Sequence, residues 1–311
     1  MKALVTGASG CLGRALVCDL QAHGWAVRTT ARNRVDLPGF IAADLIHDDL
    51  TPLVKGVDAV FQCAALSAGW GSPQDFEATN VTATERLLQA ARGAGTSRFV
   101  FASTPSLYAN GTDRFNLAED AALPARALSP YAETKRRAEN IVLANNDENM
   151  RCTAIRPRAI YGRHDRTLMP RLQKVMQRGF VPMIAGGNAQ IDLTHRSDAA
   201  RGMRLAANGP GGRVWNITSG EVFSFRHIAD LVVHHGGYQI RRIPMPYKIA
   251  YALAGFAEKR ALRKGGSEPT LTRQAVVSLG RSLTLDISAA HKDLGYQPAV
   301  RLAQGLPECF E

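Results

Sequence analysis

Apolar and polar positions along this chain follow two periods, and the switches between them outline its elements. Short continuous apolar runs occur at Ala3-Leu4-Val5, at Ala59-Val60-Phe61 before Gln62-Cys63-Ala64-Ala65, and at Phe99-Val100-Phe101-Ala102. Runs of this kind read as strands buried on both faces of a parallel sheet. Between them the period lengthens. Leu12, Ala15, Leu16 and Leu20 fall on one side of a helix, as do Leu87, Leu88 and Ala91 within a helix predicted over 76–94 and ended by Gly93 and Gly95. A further strand is predicted at Ala26-Val27-Arg28-Thr29-Thr30-Ala31 and another near Val214-Trp215-Asn216-Ile217. Helices are predicted over 168–179, 198–207 and 225–235, the last capped at Ser224 and stopped by Gly236-Gly237. Strands alternating with helices, without repeats or long linkers, predict an α/β fold built on a doubly wound parallel sheet.

The first strand runs into Val5-Thr6-Gly7-Ala8-Ser9-Gly10-Cys11-Leu12-Gly13, glycines three residues apart at the opening of a helix. Strand, glycine-rich turn and helix together form the context of a dinucleotide site, which makes the fold Rossmann-like. Glycine permits positive φ and close approach of a pyrophosphate, and the helix start presents free N–H groups to it. Gly7, Ser9, Gly10, Cys11, Leu12 and Gly13 are the expected contacts. An acidic residue near the end of the second strand would select NAD. Residues 25–34 contain no acid and three arginines, Arg28, Arg32 and Arg34. An arginine just past that strand suits a 2′-phosphate, so NADP(H) is the expected cofactor, bound by Arg32, with NAD(H) the alternative. Asp44, after a third short apolar run, suits the adenine amino group.

Ser103-Thr104-Pro105-Ser106 places hydroxyls at a strand end, on the edge where open α/β sheets bind ligands. Tyr131 and Lys135 lie four apart at the start of another helix and therefore on one face. A neighbouring ammonium is expected to lower the phenol's pKa, making Tyr131 a proton donor or acceptor, while Thr104 holds a carbonyl oxygen. Ser103 takes that role if the register is off by one.

Charge is uneven. Through Met150 there are 14 lysines and arginines against 16 acidic residues, and the remainder carries 24 against 11. A basic second half fits an acidic substrate or a membrane surface; nucleic acid is not expected, since no motif for it is present. Arg156, Arg158, Arg163, Arg166 and Arg171 cluster after the last strand of the cofactor half and suit a carboxylate or phosphate. The apolar face over 246–262 is expected to pack into the core, with a lid over an apolar substrate, or weak contact with a membrane surface or partner, as alternatives. Five scattered cysteines form no C-x-x-C pair, and His234 and His235 point about 100° apart on a helix, so no metal or disulfide framework is expected. No leader precedes Lys2 and no apolar run approaches membrane-spanning length, so the cytoplasm is the expected compartment.

Taken together, Gly7, Gly10 and Gly13, Cys63-Ala64-Ala65, Asn80-Val81, Ser103-Thr104, Tyr131 with Lys135, Arg156-Pro157 and Ile160-Tyr161-Gly162 resemble an extended short-chain dehydrogenase/reductase of the epimerase/dehydratase superfamily. Ala64-Ala65-Leu66-Ser67-Ala68-Gly69-Trp70-Gly71, Asp192-Leu193-Thr194-His195-Arg196-Ser197-Asp198 and Pro269-Thr270-Leu271-Thr272-Arg273 are similar to its 3β-hydroxysteroid dehydrogenase-like branch, which includes bacterial β-keto acid reductases. The resemblance implies an NADP(H)-dependent oxidoreductase interconverting a ketone and a secondary alcohol. It implies Thr104, Tyr131 and Lys135 as catalytic residues, and Leu45, Ala64, Ala65, Arg156 and Pro157 as further cofactor contacts beside Tyr131 and Lys135. It also implies a dinucleotide-binding domain over 1–160, completed by parts of 190–235, with a substrate lobe mainly over 161–311; a homodimer is compatible with it. A nucleotide-sugar epimerase and a non-catalytic NADP(H)-sensing regulator are the alternatives. Pro105 and Ser106 stand where sugar-nucleotide dehydratases carry carboxylates, which disfavours a dehydratase.

Overall fold

The computed structural model describes residues 1–263 and 268–310; of the lobe expected over 161–311, residues 264–267 and 311 lie outside the described residues. The apolar runs form one parallel sheet of β1 (Lys2–Thr6), β2 (Ala26–Ala31), β3 (Phe40–Ala42), β4 (Ala59–Gln62), β5 (Arg98–Ala102), β6 (Arg151–Pro157) and β7 (Val214–Ile217), in the order β7-β6-β5-β4-β1-β2-β3. Helices α1 (Cys11–Ala22), α2 (Ala83–Gly93), α3 (Pro130–Ala144) and α4 (Arg196–Ala206) cover its two faces. Leu16, Leu20 and Met203 pack on Val5, Phe61 and Ile155 of one face, while Leu87, Val142 and Ala138 pack on Leu4, Val60 and Phe99 of the other. Each such side chain, removed from water, contributes ~1.5–3 kcal/mol for the larger residues. Because β1 lies between β2 and β4, the connections leaving its two sides diverge and open a crevice at the strands' carboxyl ends.

The helix predicted over 76–94 is not uniform. Pro73–Phe76 is α-helical, Glu77–Thr82 is a π turn, and α2 follows. The wider turn carries Asn80, which is buried and accepts from Leu66 N at 2.8 Å and donates to Leu66 O at 3.2 Å and Thr134 Oγ1 at 3.1 Å. One amide thus ties the loop after β4 to α3.

A second sheet runs in the order Val222–Ser224, Gln190–Asp192, Leu283–Leu285, Arg114–Leu117. Its last strand comes from early in the chain, and Asn116 N donates to Thr284 Oγ1 at 2.8 Å. Helices α5 (Phe225–Gly236), α6 (Tyr247–Arg263) and α7 (Arg273–Gly280) follow in this half of the chain, after the shorter Met169–Met176. Ser224 caps α5 by accepting from His227 N, and Gly237 ends it at φ 64°.

The core packing expected for 246–262 is corrected. Ala250 and Ala254 are fully buried in a small cluster with Ile184 and Val276, but Ile249, Leu253, Phe256 and Leu262 are 53–72% exposed. The helix has a neighbour on one side, so only a narrow stripe of its apolar surface is covered. Among the described residues no helix is long and apolar enough to cross a membrane.

Candidate active site

The crevice is a cavity of about 1190 Å³, larger than a pocket for one small ligand. One wall is the glycine turn. Gly7 has φ 62°, and a Cβ there would lie 2.7 Å from Ala64 N. A Cβ on Gly13 would lie 2.3 Å from Gly7 O, so the third glycine lets α1 seat against the turn. Helix α1 starts at Gly10 with no side-chain cap and no acid in its first turn, leaving its N–H groups for an anion. Gly7, Ser9, Gly10, Cys11, Leu12, Gly13, Ala64 and Ala65 all line the cavity. Burial pushes the Cys11 thiol up to about 12, so it is a neutral wall group. Thr6 Oγ1 accepts from Ala64 N at 3.2 Å and joins the two strand ends.

Of the three early arginines, Arg32 alone lines the cavity; it is exposed and has no ion pair among the described residues. Arg28 instead donates to Leu53 O at 2.7 Å and Lys55 O at 2.9 Å. Asp44 and Leu45 line the same end, with Asp44 Oδ1 accepting from Ile46 N at 2.8 Å. Turn, helix start, Arg32 and Asp44 therefore form a continuous cradle whose shape and donor set fit a dinucleotide.

Ser103, Thr104, Tyr131 and Lys135 also line the cavity. Ser129 caps α3 by accepting from Ala132 N at 3.2 Å, which sets Tyr131 in its first turn. Thr104 Oγ1 accepts from Ser106 N and donates to Ser106 Oγ, both at 3.2 Å. The buried Ser103 Oγ has no partner among the described residues. Lys135, 1% exposed, donates to Ala102 O at 2.5 Å and sits 3.8 Å from the centre of the Phe101 ring. Burial lowers its pKa to about 7.

The expectation that Lys135 lowers the Tyr131 pKa is revised. Burial raises the phenol above its ordinary value, and the facing Thr104 hydroxyl is what opposes the shift. The lysine's hydrogen bond goes to the strand carbonyl instead.

Arg156 is a second correction, both as a cofactor contact and as part of an anion cluster. It is 4% exposed and is absent from the cavity wall; its Nε donates to Glu139 Oε2 at 2.9 Å and its other nitrogens to Glu139 Oε1 at 2.5 Å, Tyr108 Oη and Glu119 O. Four of the five N–H groups of this buried guanidinium are thus committed within the protein, two of them to one carboxylate. Neighbouring Pro157 does line the cavity. The rest of the cluster is dispersed: Arg158, Arg166 and Arg171 line the cavity, Arg171 pairing with Glu268 at 3.0 Å, whereas the exposed Arg163 does not. Gln274 and Ser278 of α7 also line it. They were invisible in sequence because no local pattern links them to residues over a hundred positions earlier.

Residues 3–218 match the NAD dependent epimerase/dehydratase family. The chain is similar to a 2-alkyl-3-oxoalkanoate reductase of Stenotrophomonas maltophilia (strain K279a), at 32% identity over 98% of this chain and 97% of that protein. It is also similar to a 3-beta-hydroxysteroid dehydrogenase of Mycolicibacterium neoaurum, at 30% identity over 99% of this chain and 90% of that protein. The solved structure of MoeE5 in complex with UDP-glucose and NAD superposes with a TM-score of 0.80 at 29% identity, covering 99% of this chain and 97% of that one.

Proposed function

Since the chain belongs to the NAD dependent epimerase/dehydratase family, the extended short-chain dehydrogenases/reductases, and is an oxidoreductase of that type, we propose that it is an NADP(H)-dependent ketone reductase acting on a partly apolar substrate with an anionic end. The observation that carries this reading is the Tyr131 phenol facing the Thr104 hydroxyl in one cavity with the glycine turn. Gly7, Gly10, Gly13 and the start of α1 would hold the pyrophosphate, Arg32 the 2′-phosphate, and Lys135 the ribose. When bound, the nicotinamide supplies or takes up a hydride at the carbinol carbon.

The chain's own residues handle the oxygen. Thr104 turns its O–H from Ser106 Oγ to the substrate carbonyl, and Tyr131 donates its proton to the same oxygen as charge develops there. Burial raises the phenol's pKa, so it stands in the protonated form that can donate to that oxygen. Phe180, Ile243 and Met245 border the substrate end and suit an alkyl chain or ring.

The test is NADPH consumption, followed by absorbance, against ketones of graded chain length. Turnover that rises with chain length supports the reading, and no consumption with any ketone refutes it. The likeness to MoeE5, whose structure holds UDP-glucose and NAD, favours a nucleotide-sugar epimerase as the second reading. An epimerase would convert a UDP-sugar with no net change in cofactor.

A further inference from the structure

One buried charged side chain of the cavity wall lacks a partner among the described residues. Arg158 is 9% exposed, lines the cavity, and has its Nε buried without a hydrogen-bond partner among the described residues. It forms no ion pair among the described residues, in contrast to Arg156 two positions earlier. The opposite charge acting on it is Asp192, whose Oδ2 accepts from Leu285 N at 2.7 Å and whose Oδ1 has no partner among the described residues. Asp192 does not line the cavity; Arg158 does. A buried guanidinium without a close partner is costly to the fold, so its retention calls for a ligand that completes it.

Its position says which part of a ligand. Strands β5 and β6 pair in parallel up to Ala102 opposite Ile155, and Ser103 N donates to Ile155 O at 2.8 Å. Thr104 and Arg158 therefore leave neighbouring strand ends, which lie ~4.8 Å apart. Arg158 also borders a small adjoining pocket with Ser106, Ser129 and Ala132, the residues that flank Thr104 and Tyr131. An anion on this guanidinium and an oxygen held by Thr104 and Tyr131 would share one cavity. Gln274, which lines the same cavity, has its Oε1 buried and without a partner among the described residues, an amide that can turn either end toward a ligand.

We propose that Arg158 is the specificity-determining residue of this site and that it binds a substrate carboxylate one or two carbons from the reacting carbon, as in a β-keto acid and its β-hydroxy product. The proposal rests on the ketone-reductase reading, and its test separates the two. The probe is 3-hydroxydecanoate, with its methyl ester and with 9-hydroxydecanoate, titrated calorimetrically into the full chain in the presence of NADP⁺. Wild type should bind the 3-hydroxy acid more tightly than its ester by on the order of 10–10²-fold, the range of a hydrogen-bonded charge. It should also prefer the 3-hydroxy acid to the 9-hydroxy acid. Arg158→Gln should erase both preferences and Arg158→Lys should keep part of the first. The pair Arg158→Gln with Asp192→Asn leaves no lone buried carboxylate and serves if the single variant does not fold.

Acid and ester bound alike by wild type, neither bound at all, or a preference that survives in both glutamine variants would each overturn the proposal. An Arg158-dependent preference in a protein that oxidises no NADPH with any ketone would uphold the carboxylate site and end the reductase reading. Ketone reduction indifferent to the carboxylate would do the reverse.

Discussion

The ammonium of Lys135 donates to the carbonyl of Ala102 at 2.5 Å and so fastens the first turns of α3 to the strand end that carries Ser103 and Thr104. This bond sets where Tyr131 stands relative to Thr104. It also puts a charge where water does not reach, which is why the lysine titrates at about 7 instead of 10.5. The folded chain then releases this proton through pH 7 while the unfolded chain keeps it to about 10.4. The destabilisation is complete below pH 7 and fades as pH rises toward 10.4. Ligand-free Lys135→Met should therefore be more stable than wild type near pH 6, by up to a few kcal/mol, with the gap narrowing by pH 9. Urea melts at the two pH values check this; a gap that widens with pH contradicts it. The same variant should lose cofactor affinity and turnover together.

Tyr131→Phe should remove most of kcat, about 10²–10⁴-fold, and leave cofactor affinity nearly unchanged. Because burial keeps the phenol protonated, wild-type reduction should hold its rate through pH 8 while alcohol oxidation climbs with pH. Full activity in Tyr131→Phe would remove the proposed proton donor.

Thr104→Ser should keep substantial activity and Thr104→Ala should lose on the order of 10–10³-fold in kcat. Ser103→Ala should be mild, since Ser103 Oγ has no hydrogen-bond partner among the described residues. The opposite ranking in steady-state kinetics would assign the role to Ser103.

Arg32→Asp should weaken NADPH binding by roughly 2–3 kcal/mol, one charge-assisted pair lost and one repulsion gained, and should spare NADH. Arg28→Asp would act through the loop at Leu53 and Lys55 instead, lowering stability more than cofactor choice. Fluorescence titrations with both cofactors decide it; a wild type that prefers NADH contradicts the NADP(H) assignment.

Gly13→Ala should abolish cofactor binding and lower Tm, because the new methyl would sit 2.3 Å from Gly7 O and 2.8 Å from Ala8 Cα, both backbone. At Gly10 the nearest atom is Gly7 O at 3.3 Å, so Gly10→Ala should fold and bind more weakly. Equal melting temperatures for the two variants would show that the turn relaxes.

What was readable in the sequence was what depends on near neighbours. The apolar runs of β1, β4 and β5, the glycine spacing and the four-residue step from Tyr131 to Lys135 each carry their own geometry. Arg156 and Arg158 show the limit. They lie two apart in one arginine-rich run, yet Arg156 meets Glu139 of α3 and Arg158 leaves the strand toward the cavity. Nothing local distinguishes them. The π turn over Glu77–Thr82 was hidden because Leu87, Leu88 and Ala91 keep a helical period on either account. The exposed face of α6 was misread because composition says how apolar a helix is, not how many neighbours reach it.

The strand Arg114–Leu117 has a consequence during synthesis. Its partner, Leu283–Leu285, emerges from the ribosome 168 residues after Asn116 meets its place for Thr284, roughly 10–30 s later at typical elongation rates. Until Val214–Ile217 is made, β6 likewise stands as an open sheet edge with Cys152, Ala154 and Ile155 in it. The nascent chain therefore carries one unpaired strand across the 168 residues between Asn116 and Thr284 and a second open edge while residues 158–217 are made, and its yield in a cell depends on what shields them.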